Sequence, residues 1–66
     1  MTNRQLAAAR RVFNRFREGG LKLRKVRGTL TPMRGKREGA PVRITDDMPP
    51  AQVENLLRAS ILAFNG

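Results

Sequence analysis

The feature that most constrains the fold is the strongly basic, glycine-punctuated middle of this 66-residue chain, residues 21–43. It holds eight lysines and arginines against a single acid, Glu38, which gives a net charge of +7. Charged side chains are costly to bury without partners, so these cations must face solvent or a polyanion. Any fold must therefore place the middle on a surface and draw most of its core from the flanking segments.

The first flank has the periodicity of an amphipathic helix. Thr2 and Gln5 match the capping-box pattern, and Gly19-Gly20 is a typical helix stop, so we predict a helix over about residues 3–18. On a helical wheel one narrow apolar stripe is formed by Leu6, Ala9, Val12, Phe13 and Phe16. Arg4, Arg11 and Arg15 group on the opposite side, where they form either a solvated face or a phosphate-contacting face.

The second flank predicts a second helix, over about residues 50–64. Met48 and Pro49 each precede a proline and are biased away from helical angles, which leaves Pro50 as the best first helical residue. Asp46 and Asp47 precede this helix, where acids match the helix dipole. The apolar face is broad and includes Val53, Leu56, Leu57, Ile61, Leu62 and Phe64.

The basic middle carries short strand patterns. Residues 21–24 alternate apolar and basic side chains, but Lys25 breaks the alternation, so either a bulge near Arg24-Lys25 returns Val26 to the core face or the strand ends there. Arg27-Gly28 predicts a tight turn, and residues 29–31 return as a short strand that Pro32 ends or limits to an edge. Residues 33–39 have the composition of a loop, and residues 42–45 alternate again.

We therefore predict a single small domain of the α+β class, residues 1–66. An N-terminal amphipathic helix precedes a short basic β-ribbon of two or three strands with its loop, residues 21–45, and a C-terminal amphipathic helix follows. The alternative is two helices joined by an extended basic arm. A chain of this length buries only about 60% of the surface that its unfolded form exposes, so a partner could supply further burial.

The composition argues against catalysis. Cys, His, Tyr and Trp are all absent, and the only acids are Glu18, Glu38, Asp46, Asp47 and Glu54. A disulfide framework, a thiolate zinc site and the commonest general base are thereby excluded, and we expect no enzymatic activity, no cofactor and no metal. With no apolar run of about 20 residues and no signal pattern, we expect a protein that is neither secreted nor transmembrane and that works in the cytoplasm or within an assembled particle.

The charge is unevenly distributed along the chain. Residues 1–43 hold 13 basic and 2 acidic side chains, whereas residues 44–66 hold 1 and 3. This pattern favours a small basic accessory protein that binds nucleic acid, DNA or RNA, mainly through phosphate contacts with modest sequence specificity. The residues predicted to contact it are Arg4, Arg11, Arg15, Lys22, Arg24, Lys25, Arg27, Arg34, Lys36, Arg37 and Arg43.

The broad apolar face of the second helix favours an alternative function. It predicts a structural or interaction subunit of a virion or ribonucleoprotein particle, a homo-oligomer, or an inhibitor that docks on an acidic protein surface through this helix. The predicted partner interface consists of Val53, Leu57, Ile61, Leu62 and Phe64. A membrane surface is a weaker candidate partner for the basic first helix.

Overall fold

The computed structural model describes residues 1–65, which form two helices and a small antiparallel sheet. In chain order these are helix α1 (Asn3–Phe16), strands β1 (Lys22–Val26), β2 (Thr29–Arg34), β3 (Arg37–Glu38) and β4 (Val42–Arg43), and helix α2 (Pro50–Asn65). The predicted small α+β fold is confirmed. The extended basic arm does not form, because the middle of the chain pairs with itself.

Helix α1 begins as the sequence predicts. The Thr2 Oγ1 accepts a hydrogen bond from the Gln5 backbone N–H, and the Gln5 Oε1 accepts one from the Thr2 N–H, which completes the capping box. The helix ends at Phe16, two residues earlier than predicted, and the glycines that follow have φ of +79° and +80°. A side chain is strained at such angles, which explains the use of glycine there.

The central strand is β2, which pairs with β1 on one side and with β3 and β4 on the other. Pro32 lies within it and is fully buried, so the prediction that this proline ends the strand or limits it to an edge is wrong. The Pro32 carbonyl accepts from the Gly39 N–H at 2.8 Å, and a strand residue directs its N–H and C=O to the same neighbour. The position of the missing N–H therefore faces residues 39–41, which lie between β3 and β4 and do not pair with β2 as a strand.

Two further expectations about the middle are wrong. Strand β1 pairs with β2 in regular register from Lys22↔Met33 to Val26↔Thr29, so it neither bulges nor ends at Lys25, and Val26 is 54% exposed. The segment 33–39 is not a single loop, because its ends belong to β2 and β3 and only Gly35-Lys36 forms the turn. Backbone pairing within the sheet outweighs the polar composition of this segment.

Helix α2 packs on one face of the sheet, and helix α1 packs against α2 on the same side. The core between the layers contains Ala8, Ala9 and Val12 from α1, Leu21, Leu30, Val42 and Ile44 from the sheet region, and Val53, Leu57 and Ile61 from α2. Helix α1 packs on α2 more extensively than on the sheet, so its buried face is rotated from the predicted stripe. Gln5 and Ala8 are buried, whereas Leu6, Phe13 and Phe16 are only half-buried.

One buried polar side chain connects the two ends of the fold. Gln5 is 1% exposed, and its Nε2 donates to the carbonyl oxygens of Thr45 at 2.7 Å and Met48 at 3.1 Å. Its Oε1 accepts the capping hydrogen bond from Thr2. The amide thus uses both donors and its acceptor, as a buried polar group must if it is not to destabilise the fold.

Gln5→Glu is expected to lower the free energy of unfolding by about 2–4 kcal/mol, because the carboxylate keeps the capping acceptor but leaves two carbonyls without donors. Urea denaturation followed by circular dichroism measures this. Gln52→Glu makes the same chemical change at an exposed position of α2 and should alter stability by less than about 0.5 kcal/mol. Equal effects of the two substitutions would contradict a structural role for the Gln5 amide.

Candidate nucleic-acid interface

The strand register sorts the cations of the sheet onto two faces. Directly paired residues of antiparallel strands project to the same side. The face away from the helices, here called the outer face, carries Lys22, Arg24, Val26, Thr29, Thr31, Met33, Glu38 and Arg43. The face toward the helices, the inner face, carries Leu23, Lys25, Leu30, Pro32, Arg34, Arg37 and Val42.

The outer face is an exposed cationic surface. Lys22 and Arg24 of β1 and Arg43 of β4 are all solvent-exposed. The only acid on this face is Glu38, whose Oε1 lies 2.9 Å from the Arg24 Nη2. Within residues 1–65, no carboxylate pairs with Lys22 or Arg43, so these charges are available to an external anion.

Arg27 lies at the tip of the β1–β2 hairpin, next to this face. Arg27 and Gly28 form a two-residue turn with φ of +50° and +76°, the pattern of a type I′ turn. Arginine is unusual at such a φ, which costs a residue with a side chain about 1–3 kcal/mol. Arg27 lines one shallow depression with Arg24, Thr29 and Thr31, and another with Arg43 and Asp46, whose carboxylate lies 3.4 Å from the N-terminal amino group.

Arg34 stabilises the fold by hydrogen bonds to the ends of both helices. Its Nη2 donates to the carbonyl oxygen of Phe16, the last residue of α1, at 3.5 Å and to that of Glu18, two residues later, at 3.0 Å. Its Nη1 donates to the Asn65 side chain at the end of α2. A cation there satisfies free carbonyls and complements the helix dipole. The Arg34 guanidinium is therefore held by the protein, whereas Lys22 and Arg43 of the outer face pair with no carboxylate within residues 1–65.

The remaining predicted contacts of the middle lie elsewhere. Lys36 occupies the exposed β2–β3 turn, and Lys25 is exposed at the edge of the inner face. The Arg37 guanidinium carbon lies 5.2 Å from the centroid of the Phe64 ring, within the range of a cation–π interaction. These three cations are not part of the outer face.

The predicted arginines of α1 lie on the exposed surface of the two helices, here called the helix layer. Arg4, Arg11 and Arg15 are exposed, and Arg11 pairs with Glu54 of α2 at 3.5 Å. Arg11, Arg15 and Arg58 line a small depression between the two helices. The structure therefore does not bring the predicted residues together in one site, but divides them among the outer face with its hairpin tip, the inner face, the β2–β3 turn and the helix layer.

The residues predicted as a partner interface are mostly internal. Val53, Leu57 and Ile61 are 0% exposed and belong to the chain's own core. Phe64 is half-buried, and a Cβ at Gly39 would lie only 3.0 Å from its ring, so it packs closely on this turn. Leu62 is 52% exposed and Leu56, outside the predicted set, is 38% exposed.

No aromatic side chain lies on the outer face. Phe13, Phe16 and Phe64 are half-buried and pack against the core, and the sequence has no other aromatic residue. The outer face thus has nothing on which nucleic-acid bases could stack, and its chemistry is that of guanidinium, ammonium and hydroxyl groups. Neither helix in residues 1–65 is long and apolar enough to cross a membrane.

Comparison with known proteins finds no matching family model, no similar curated protein and no similar solved structure. Function must therefore be inferred from the residues of this chain alone.

Arg27→Asn is expected to raise the free energy of unfolding by about 0.5–1 kcal/mol, because Asn-Gly suits a type I′ turn better than Arg-Gly. Thermal unfolding followed by circular dichroism measures this. Arg43→Asn removes the same charge from a strand without positive φ and should not stabilise the protein, since asparagine is unfavourable in strands. Loss of stability in Arg27→Asn would show that Arg27 is not strained.

Proposed function

We propose that this protein is a small, non-enzymatic accessory protein that binds nucleic acid through the outer face of its sheet. The observation that carries the proposal is the concentration of Lys22, Arg24 and Arg43 on a face that no helix covers, with Arg27 at its end. Phosphate groups are the natural partners of such a surface, because each cation that contacts a phosphate releases a condensed counterion. Binding of this kind carries little sequence information.

Two details favour a polyanion over plain solvent exposure. An ordinary solvated face mixes both signs, whereas the single acid of the outer face is already engaged by Arg24. Arg27 also keeps a long cationic side chain at a turn position where glycine or asparagine would be less strained. Strain at an exposed residue is typical of a position kept for function.

The outer face favours double-stranded over single-stranded nucleic acid. Single strands gain much of their affinity from bases stacked on aromatic side chains, and the outer face has none. Affinity then depends on the density of phosphates, and a duplex carries about one charge per 1.7 Å of its axis.

The test compares two variants with the same change in charge. Lys22→Gln/Arg27→Gln/Arg43→Gln removes three cations from the outer face and its hairpin tip, and Arg4→Gln/Arg11→Gln/Arg15→Gln removes three from the helix layer. We expect the outer-face variant to bind a short duplex about tenfold or more weakly, with a salt slope smaller by about 2–3, and the helix-layer variant to change affinity less than about threefold.

Fluorescence anisotropy with labelled duplex DNA, duplex RNA and single strands of equal length, between about 50 and 200 mM salt, gives these values. Wild-type binding should be tighter for the duplexes than for the single strands. Equal losses in the two variants would mean that net charge alone drives association. Binding that salt does not weaken would overturn the proposal.

A second candidate function, a subunit of a larger protein assembly, is favoured by one observation on α2. Leu56, Ala59, Leu62 and Ala63 are exposed and lie on one side of the helix, opposite its buried face. Isolated exposed apolar residues are common, but four on one helix face form a small patch of the type that protein partners cover. Any assembly through α2 would use this patch in place of the buried Val53, Leu57 and Ile61.

Leu62→Asp is expected to abolish self-association or partner assembly while lowering the free energy of unfolding of the monomer by only about 1–2 kcal/mol, because Leu62 is 52% exposed and an acid opposes the dipole near the end of α2. Sedimentation velocity over a range of concentrations measures association. Arg58→Asp on the same helix, outside the patch, is the control. A wild-type protein that is monomeric at all concentrations and retrieves no partner would contradict this second function.

A further inference from the structure

Strand β1 is an open edge of the sheet. Within residues 1–65 it pairs only with β2, so its other side has no neighbouring strand. The Pro32 carbonyl points away from β1, which makes Leu23↔Pro32 a pair without β1–β2 hydrogen bonds. Because such pairs alternate along an antiparallel ladder, the N–H and C=O groups of Leu23 and Lys25 point to the open edge.

An apolar groove runs beside this edge, between α1 and the inner face of the sheet. Its volume is about 300 Å³, and it is lined by Leu6, Ala9, Arg10, Phe13, Leu23 and Leu30. Ala9 and Leu30 are buried at 5% and 4% exposure, whereas Leu6, Phe13 and Leu23 are half-buried. A strand added to β1 would place alternate side chains over this groove, where they would cover these residues.

The charges around the groove identify the kind of strand that fits. Lys25 lies on the groove side of β1, Arg10 lines the groove from α1, and Lys22 and Arg24 project from the other side of the same strand. Two copies of β1 paired antiparallel about Arg24 would place this residue opposite its own copy, and like charges directly opposite are destabilising. The edge is therefore unfavourable for a second copy and favourable for a strand that carries acids.

We infer that the β1 edge and its groove bind an extended, acidic segment of a partner protein by strand addition. Backbone hydrogen bonds to Leu23 and Lys25 would hold the segment, apolar side chains on one side would fill the groove, and carboxylates on the other side would pair with Lys22 and Arg24. The site shares Lys22 and Arg24 with the outer face, but the groove and the free backbone groups of Leu23 and Lys25 do not belong to that face, and the inference does not depend on nucleic-acid binding. The partner's chemistry is an alternation of apolar and acidic residues without proline.

The probe is a short fluorescent peptide of alternating Glu and Val, and the control peptide alternates Lys and Val. Lys25→Pro removes the outward N–H at a position where an edge strand tolerates proline, and Lys25→Gln removes the same charge but keeps the N–H. We expect the Glu/Val peptide to bind the wild-type protein and the Lys/Val peptide not to bind. Lys25→Gln should weaken binding about twofold to fivefold and Lys25→Pro more than about tenfold, since only the latter loses a backbone hydrogen bond.

Circular dichroism establishes that each variant is folded. If Lys25→Pro does not fold, Leu6→Glu takes its place, because a carboxylate at the half-buried groove wall repels the acidic probe while glutamate keeps a high helix propensity. Amide chemical shifts of the wild-type protein should move at residues 21–26 on addition of the peptide and stay constant at Arg43. Equal binding by Lys25→Pro and Lys25→Gln, or shifts confined to the outer face, would overturn the inference.

Two other occupants would give different results. A concentration-dependent dimer of the wild-type protein that Lys25→Pro abolishes would assign the edge to a second copy. Duplex binding that Lys25→Pro weakens more than Lys25→Gln would assign it to the nucleic-acid interface. Either result overturns the inference, whereas an Arg27→Gln/Arg43→Gln variant that loses duplex binding and keeps peptide binding supports it and separates the two sites.

Discussion

The fold depends on the hydrogen bonds of a single buried amide, that of Gln5. A chain this short has a small core, and its two helices come from opposite ends of the sequence. Gln5 donates to Thr45 and Met48, about 40 residues away, and so fixes the start of α1 against the link that leads into α2. Because a buried amide without partners would destabilise the protein, these hydrogen bonds favour one arrangement of the helices over others.

Polar side chains make the other connections between the layers. Arg34 ties β2 to the ends of α1 and α2, and the Ser60 Oγ donates to the Ala40 carbonyl at 2.6 Å. Gly39 allows Pro32 and Phe64 to approach so closely that a Cβ there would lie 2.7 Å from the proline ring. These contacts hold the sheet beneath the helices and leave its outer face open.

The separation of layers explains how one small chain can offer several surfaces. Both helices lie on the inner-face side of the sheet, so the cations of the outer face are not covered by them. Within residues 1–65 only Arg24 among these cations pairs with a carboxylate. The edge of β1 and the patch on α2 point in other directions and have different chemistry. A protein that binds a phosphate backbone on one side and a protein segment on another would act as a connector within a larger complex.

The sequence by itself determined the elements whose signals are local. The Thr2–Gln5 capping box, the prolines before α2 and the alternation around β1 and β4 act between near neighbours, so the helix starts and the α+β class were predictable. The surplus of cations in residues 1–43 likewise predicted an exposed basic surface, since charge resists burial wherever the chain turns.

Tertiary structure alone decided the contacts between distant residues. Pro32 could lie in the central strand only because its missing N–H faces the break at residues 39–41, and no local pattern shows where that break falls. Arg34 and Lys22 are both cations in the same basic segment, yet one anchors two helix ends and the other faces solvent. Strand register and the positions of the helix ends made that distinction, because they determine which carbonyls each guanidinium or ammonium group can reach.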